Sequence, residues 1–262
     1  MAPAALILGY HVLGDVPREL DPGHLAVDPE RFRHQLRSLR RRGYELVTVA
    51  EFASRFRSSC RPPRGTCALS FDDGSVDGLE LLPQILSDED AAATIYVCPG
   101  LLGESNPFMP PEAGIRLMEA HEIREVSALE RIEVGSHTMA HAELADADEA
   151  TALYEMRSSK EALEEMIGRT VETFAYPKCT YSPACPGAAR KAGYEAAVTC
   201  GLRGGWRPYE LPRELIDGLE GRLTIELKAR GVWKRVYDSA PGRLARRAVR
   251  SRRHPGEPET SR

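Results

Sequence analysis

Residues 67–74 read Cys-Ala-Leu-Ser-Phe-Asp-Asp-Gly, a short apolar run followed at once by two carboxylates and a glycine. Such a run is typical of a buried strand in an α/β protein, so the two acids should stand where a strand ends. Consecutive side chains on a strand point to opposite faces, so both carboxylates can serve one site only if the backbone turns there. Gly74 permits that turn because it has no Cβ to forbid unusual dihedral angles.

A second strand-like run, residues 132–136, is followed by His137 and His141. A spacing of four residues places two side chains on one face of a helix, which suits two ligands of one metal ion. Both motifs therefore stand at strand exits, where α/β folds usually place their chemistry. One aspartate and two histidines suffice for a catalytic divalent metal, because three protein ligands leave a coordination position open. The second aspartate is then left for proton transfer.

Each motif also has an ordinary structural interpretation. Asp-Asp-Gly is most often a turn, because Asp and Gly favour turn geometry. A histidine pair at this spacing is often a solvated helix face. The joint occurrence of the two motifs after predicted strands favours a metal-hydrolase site. The residues alone leave open which of Asp72 and Asp73 binds the metal.

The rest of the chain alternates strand and helix patterns. Apolar residues spaced by three and four mark two helical faces that end before Gly43 and Gly168. Strands are predicted at residues 5–10, 68–71, 94–97, 132–136, 173–176 and 196–200. This alternation predicts a mostly parallel sheet or barrel. The Gly- and Pro-rich segment 99–111 is expected to precede a helix near Glu112, and forms either a rim of the substrate cleft or a plain surface connection.

Length and composition set further bounds. A chain of 262 residues fits one α/β barrel with a short appendage. The net charge of −4 gives no general nucleic-acid signature. The six cysteines lack metal-type spacing, and we expect them to be packing or loop thiols in a reducing compartment. We find no basic leader before the first apolar run and no stretch near the roughly 20 apolar residues that span a bilayer, so we expect a cytoplasmic location.

The C-terminal part of the chain is strongly basic. Residues 228–253 hold ten basic side chains and one acid, Asp238, which gives a local charge of +9. Apolar residues interleave with the arginines, which suits peripheral membrane contact or docking of an anionic carrier. A solvated, flexible tail is the alternative.

The two motifs resemble those of a known family. Ser-Phe-Asp-Asp-Gly at residues 70–74 resembles the first motif of the NodB-type polysaccharide deacetylases (carbohydrate esterase family four), and Gly-Ser-His-Thr-Met-Ala-His at 135–141 resembles the second. The similarity starts at residues 7–11 and is closest to the exopolysaccharide-type branch. It implies an α/β fold, a distorted (β/α) barrel with mostly parallel strands over residues 1–222, and leaves residues 223–262 as a basic, partly disordered extension.

Carried over to this sequence, the resemblance implies that Asp72 is the general base and that Asp73, His137 and His141 hold one divalent transition metal. Zn²⁺ is the expected ion, with Co²⁺, Mn²⁺ or Ni²⁺ as alternatives. The implied reaction hydrolyses a linear amide C–N bond and removes the N-acetyl group of an amino sugar in a glycan, a carrier-linked sugar or a small glycoside. Two alternatives remain open: a related hydrolase of formamides, ureides or cyclic imides, and a catalytically inactive carbohydrate-binding relative.

The third motif departs from the family pattern. Many relatives have Arg-x-Pro-Tyr, whereas this chain reads Tyr176, Pro177, Lys178 and Cys179. In relatives the residue after the proline binds the oxyanion through its backbone N–H, and Lys178 retains that group. An exposed loop lysine without a role is the alternative. The missing arginine leaves the base without its usual partner, and Arg213 could hydrogen-bond Asp72 instead or form an ordinary salt bridge.

The usual general acid of the family, a late histidine, is also missing, since no histidine lies between His141 and His254. His11 resembles the Tyr-His of the exopolysaccharide branch and is therefore our candidate acid. Imidazole suits this role because its unperturbed pKa of about 6.5 lets it exchange a proton near neutrality. A hydrogen-bonded packing role is the alternative for His11, and His24 and His121 are secondary candidates.

Overall fold

Seven strands close into a ring in the computed structural model, which describes residues 2–201, 205–220 and 222–229. The strands of the chain are β1 Leu6–Tyr10, β2 Val12–Leu13, β3 Ala26–Val27, β4 Glu45–Val47, β5 Thr66–Phe71, β6 Ala93–Val97, β7 Ile132–Ser136, β8 Thr173–Ala175, β9 Ala196–Cys200 and β10 Leu211–Leu215. The ring runs β1-β10-β9-β8-β7-β6-β5 and returns to β1, while β4 pairs beside β5. All these pairings are parallel, which confirms the distorted (β/α) barrel.

Helices surround the barrel. They are α1 Pro29–Arg41, α2 Val49–Ser59, α3 Asp77–Glu80, α4 Leu82–Asp88, α5 Ala120–Ser127, α6 Glu149–Ile167, α7 Cys185–Lys191 and α8 Arg222–Ala229. The α1 helix begins where the Asp28 side chain accepts a hydrogen bond from the Arg31 N–H, and it buries Phe32, Leu36 and Leu39. The α6 helix ends at Gly168, whose φ of 67° suits glycine.

The barrel interior is closed near the amino ends of the strands. The α2 helix packs Phe52 and Phe56 against the interior, and Trp206 stacks on Phe52 with ring centroids 5.5 Å apart. The Val49 N–H at the start of α2 donates to Thr94 Oγ1 near the start of β6. Because these side chains close the amino end of the barrel, an active site can form only at the carboxyl ends of the strands, as in other α/β barrels.

The observed elements differ from the predicted ones in two respects. The predicted helix near Glu112 is wrong: Pro111–Ala113 form a single 3₁₀ turn, and α5 begins only at Ala120. The reason is local, because Gly114 adopts a φ of 68° and breaks any helix there. The short strands β2, β3 and β4 and the polar strand β10 were not predicted.

The described part of the basic extension begins as a helix. In α8, Lys228 donates to the Leu215 carbonyl and to the carboxylate of Glu220. The other basic residues of segment 228–253 lie outside the described residues, so its membrane or carrier contact remains a prediction. None of the helices in the described ranges is both long and apolar enough to cross a membrane.

Candidate metal centre

The two sequence motifs converge at the carboxyl ends of β5 and β7. Asp73 Oδ1 lies 3.8 Å from His137 Nε2 and 3.7 Å from His141 Nε2. One ligand atom from each of the three residues lies within 4.8 Å of the other two. Asp73 and His137 are buried, and His141 is partly open to solvent. The structure therefore brings the three predicted ligands together.

The turn after β5 directs both carboxylates into one site. Asp73 has a φ of 72° and Gly74 a φ of 77°, so the chain leaves the extended conformation immediately after Asp72. This breaks the strand alternation that would otherwise separate the two side chains. A Cβ on Gly74 would also lie 3.2 Å from Val97 Cγ2, so the turn is closely packed. The predicted turn is confirmed, with Asp73 itself as its first left-handed residue.

The expected helix that carries His137 and His141 is wrong. Residues 138–140 form a turn, and Thr138 and His141 have φ values of 64° and 58°. The Thr138 hydroxyl accepts a hydrogen bond from the Ala142 N–H at 2.9 Å, and Glu155 of α6 accepts one from the Met139 N–H at 3.2 Å. These contacts fold the segment tightly enough to place the two imidazole centroids 4.9 Å apart.

The chemistry of the three residues fits a divalent metal. Asp73 Oδ1 is buried and has no hydrogen-bond partner among the described residues. A buried carboxylate oxygen without a partner is costly, and a cation would satisfy it. The Ala175 carbonyl lies 2.7 Å from His137 Nδ1, which fixes the proton there and leaves Nε2 free to bind a metal. This Asp-His-His set is one that zinc and related ions favour.

The electrostatic environment also favours a cation. Burial lowers the pKa of His137 to about 4, so its imidazole is neutral, the form that binds metals. Burial and the neighbouring Asp72 raise the pKa of Asp73. A cation bound between these groups would offset both effects and stabilise the Asp73 carboxylate.

The predicted hydrogen bonds between Arg213 and Asp72 are present. Arg213 Nη1 lies 2.6 Å from Asp72 Oδ1, and Nη2 lies 2.7 Å from Asp72 Oδ2. Burial favours the neutral acid, but the Arg213 guanidinium and the nearby His137 more than offset it, and the pKa of Asp72 is lowered. Gly9 on β1 makes room for this pair, because a Cβ there would lie 2.9 Å from Arg213 Cδ.

His11 lies at the edge of the site, beside Asp72. Its Nε2 lies 4.0 Å from Asp72 Oδ2, and its side chain is 21% exposed. Burial lowers the pKa of His11, although the Asp72 charge acts in the opposite direction. By contrast, His121 is exposed on α5 beside Glu119, and His24 lines a depression of about 320 Å³ beside β2 and β3. The position of His11 is compatible with proton transfer at the site.

The third motif forms a tight turn after β8. Residues Pro177–Cys179 form a turn that is not helical at Lys178, because Lys178 and Cys179 have φ values of 52° and 57°. The Lys178 side chain is exposed and pairs with Glu143, so its backbone N–H is the group that could serve an oxyanion. The Tyr176 side chain is buried, and its hydroxyl donates to the Tyr209 carbonyl at 3.0 Å. Tyr176 and Pro177 therefore shape the turn from the core side.

A disulfide joins Cys179 to Cys200, with Cα atoms 5.2 Å apart. The expectation that all six cysteines are thiols is therefore wrong for this pair, whereas Cys60, Cys67, Cys98 and Cys185 are free. The pair forms because β8 and β9 are neighbouring parallel strands, so the segments at their carboxyl ends meet. No sequence spacing signals such a contact.

Sequence reasoning missed one aromatic residue at the site. The Phe108 ring centroid lies 4.3 Å from that of His141, with an interplanar angle of 52°. Phe108 belongs to the Gly- and Pro-rich segment that was expected to be a cleft rim or a plain connection. An aromatic side chain within such a segment was the available signal.

Comparison with known proteins finds a matching family model and curated relatives. A family model described as polysaccharide deacetylase matches residues 60–197. Bacillus subtilis YxkH, a protein named as a polysaccharide deacetylase, is 26% identical over 198 residues, which cover 75% of this chain and 65% of YxkH. A chitin deacetylase of Colletotrichum lindemuthianum is 30% identical over 140 residues, which cover 53% of this chain and 52% of that protein. The matches thus span between half and two thirds of these curated relatives.

Solved structures show the same fold. The deacetylase PplD of Streptococcus pyogenes, solved in complex with acetate, has a TM-score of 0.68 at 23% identity and covers 84% of this chain and 96% of PplD. IcaB from Ammonifex degensii has a TM-score of 0.70 at 20% identity and covers 89% of this chain and 97% of IcaB. At these identities the similarity establishes the barrel.

Proposed function

Because the chain belongs to the polysaccharide deacetylase family, we propose that it is a metal-dependent hydrolase that removes the N-acetyl group from an N-acetylated amino sugar. The geometry of the metal centre is the main support for this proposal. Three ligand atoms from Asp73, His137 and His141 lie within 4.8 Å of one another, and the Asp72 carboxylate, oriented by Arg213, stands next to them. This is the arrangement that hydrolysis of an amide by an activated water requires.

Asp73, His137 and His141 would hold the metal, which when bound would polarise the acetamide carbonyl and acidify water. Asp72 accepts the proton of the attacking water. Arg213 orients this carboxylate through both oxygens, and each oxygen keeps a second lone pair that can accept the proton. The lowered pKa of Asp72 keeps its carboxylate ionised, which is the form that can accept a proton.

The remaining groups act on the acyl oxygen and on the leaving nitrogen. The Lys178 N–H donates to the oxyanion that develops as water adds to the carbonyl carbon, and Tyr176 and Pro177 fix the turn that presents it. His11 donates a proton to the nitrogen as the C–N bond breaks. The reaction consumes one water and gives acetate and a free amino sugar. We propose that the metal ion is Zn²⁺, with Co²⁺, Mn²⁺ or Ni²⁺ as alternatives.

We propose that the substrate is an N-acetylhexosamine attached to a nucleotide, a lipid-linked carrier or a secondary metabolite. Its support is the basic segment 228–253, whose charge suits an anionic carrier or membrane surface. We propose a cytoplasmic site of action. Stable disulfides are rare in reducing compartments, so the Cys179–Cys200 disulfide is an unusual feature for this location.

Product analysis with defined substrates tests the proposal. Metal-loaded protein should release acetate and a free amine from at least one small or carrier-linked N-acetylhexosamine, and Asp72→Asn should abolish the release while retaining the metal. Release of formate or ammonia instead would favour a different amide hydrolase. Saccharide binding without any product from metal-loaded protein would contradict catalysis and favour an inactive carbohydrate-binding relative.

A further inference from the structure

The loop between β6 and α5, residues 98–119, is tied to both turns of the metal centre. The Gly100 N–H donates to the Met139 carbonyl at 2.7 Å, and the Met118 N–H donates to the Gly74 carbonyl at 2.9 Å. A Cβ on Gly100 would lie only 2.7 Å from Met139 O, so the close approach at the histidine turn depends on glycine. The position of this loop is therefore set by the same backbone segments that hold Asp73, His137 and His141.

Within the loop, Asn106 fixes the path of the chain beside the site. It is buried, and its Nδ2 donates to Ser75 Oγ at 3.1 Å. Its Oδ1 accepts a hydrogen bond from the Phe108 N–H at 2.9 Å. Ser75 directly follows Gly74, so one buried amide connects the Asp73 turn to Phe108. A buried side chain that bonds on both sides leaves Phe108 little freedom to move away.

Phe108 thereby lies between the proposed metal ligand His141 and the segment that carries His11. Its ring contacts His141, and the next residue, Met109, is buried against Val12 and Ala26 on β2 and β3. Val12 directly follows His11, the proposed acid. The Phe108 side chain is itself only partly buried, so an apolar ring stays open to solvent beside a site otherwise lined by charged and polar groups.

We propose that Phe108 is a specificity-determining residue that stacks on the pyranose ring of the sugar bearing the scissile acetamide. One face of a pyranose presents C–H groups, and the negative face of an aromatic ring attracts such positively polarised edges while it excludes water. A ring against His141 places the stacked sugar next to the metal, so that the acetamide can reach Asp72. This inference rests on the proposed function and adds a residue that recognises the sugar ring rather than the acetyl group.

A role in packing alone is the competing explanation. If Phe108 only supported the His141 imidazole, its removal would loosen the metal site and lower metal content together with activity. A stacking role predicts a different outcome, because the sugar should bind less tightly while the metal stays bound. Metal content and saccharide affinity therefore separate the two roles.

The test compares Phe108→Ala and Phe108→Tyr in the full-length, metal-loaded protein. Tyr154→Ala serves as the control, since Tyr154 is an aromatic residue that is 70% exposed on α6. For Phe108→Ala we expect KM for the N-acetylated sugar to rise about tenfold, kcat to change less than threefold, and metal content to stay at about one per chain. Phe108→Tyr should keep the wild-type KM, because the aromatic face remains. Tyr154→Ala should also have the wild-type KM and kcat.

Calorimetric binding of glucosamine, a deacetylated amino sugar, to the same metal-loaded variants keeps the test independent of turnover. We expect a rise of about tenfold in Kd for Phe108→Ala. Unchanged KM and Kd in this variant, or loss of metal in parallel with activity, would overturn the inference. If saccharide binding weakens as expected but no sugar releases acetate even from the wild type, the stacking role stands and the proposed deacetylation fails.

Discussion

Arg213 holds both carboxylate oxygens of Asp72, at 2.6 Å and 2.7 Å, across a separation of 141 residues in the sequence. Both side chains are buried, and Arg213 Nη1 also lies 3.1 Å from Ser70 Oγ. Because a planar guanidinium matches a carboxylate in this geometry, the pair fixes the orientation of the proposed base. We propose that Arg213 on β10 takes the role of the arginine that the third motif lacks.

Replacement of Arg213 should impair both activity and stability. Arg213→Met leaves a buried carboxylate without its partner, and we expect a loss of about 3–5 kcal/mol in the free energy of unfolding. Arg213→Lys keeps a positive charge but cannot form the bidentate pair of hydrogen bonds, so kcat should still fall at least tenfold. Arg207→Lys is a control, since Arg207 is an exposed member of an ion pair. Wild-type kcat in Arg213→Lys would contradict the positioning role.

The same pair predicts a change in the pH profile. Arg213 lowers the pKa of Asp72, so the base stays ionised down to low pH. In Arg213→Lys the acid limb of kcat/KM should therefore move to higher pH, because the carboxylate becomes protonated earlier as pH falls. The measurement is the pH dependence of acetate release by metal-loaded protein. An acid limb that does not move would show that another group controls it.

His11 should affect proton transfer without affecting metal binding. His11→Gln keeps a polar side chain but cannot donate a proton as an acid, so we expect kcat to fall about 10²- to 10³-fold. Metal content should remain at about one per chain, because His11 is not among the three ligands. The expected control is His121→Gln, exposed on α5, with wild-type activity. Activity retained in His11→Gln would show that another group protonates the amine.

The Cys179–Cys200 disulfide should stabilise the turn that carries Lys178, whose N–H is the proposed oxyanion donor. Lys178 and Cys179 both have positive φ values, a conformation that non-glycine residues adopt at a cost of about 1–3 kcal/mol each. Cys179→Ser with Cys200→Ser should lower the free energy of unfolding by about 2–4 kcal/mol and reduce kcat more than it changes KM. Cys60→Ser is the control, since Cys60 is exposed and free. Identical stability and kcat in the double variant would contradict this role.

Asp77 should make stability depend on pH. Its Oδ2 accepts the Leu13 N–H at 2.6 Å, and burial raises its pKa to about 7, against about 3.9 in an unfolded chain. The folded state therefore keeps a proton that the unfolded chain releases, so this stabilisation is complete below about pH 4 and is lost as pH rises through 7.

Asp77→Asn cannot ionise, so its stability relative to wild type should increase between pH 4 and pH 8, by on the order of 4 kcal/mol. Chemical denaturation at several pH values measures this difference, with the exposed Glu112→Gln as control. A difference that stays constant across the pH range would show that Asp77 is ionised in the folded protein.

The sequence predicted those parts of the site that depend on local pattern. Apolar runs before Asp72 and His137 marked buried strands, and parallel strands place their carboxyl ends together, so convergence of the two motifs followed. The conformation around His141 was not predictable, because its positive φ depends on contacts with distant residues such as Glu155. The same holds for Phe108 and for the disulfide, which depend on which loops meet after the barrel closes.

If Asp73, His137 and His141 hold one catalytic metal, analysis of the metal content of the purified protein will reveal it. Purified full-length protein, dialysed and then loaded with Zn²⁺, should contain about one ion per chain by elemental analysis. Asp73→Ala and His141→Ala should each lose most of that metal while they remain folded, and Asp72→Asn should retain it. Equal metal content in wild type and in the Asp73→Ala and His141→Ala variants would contradict the account.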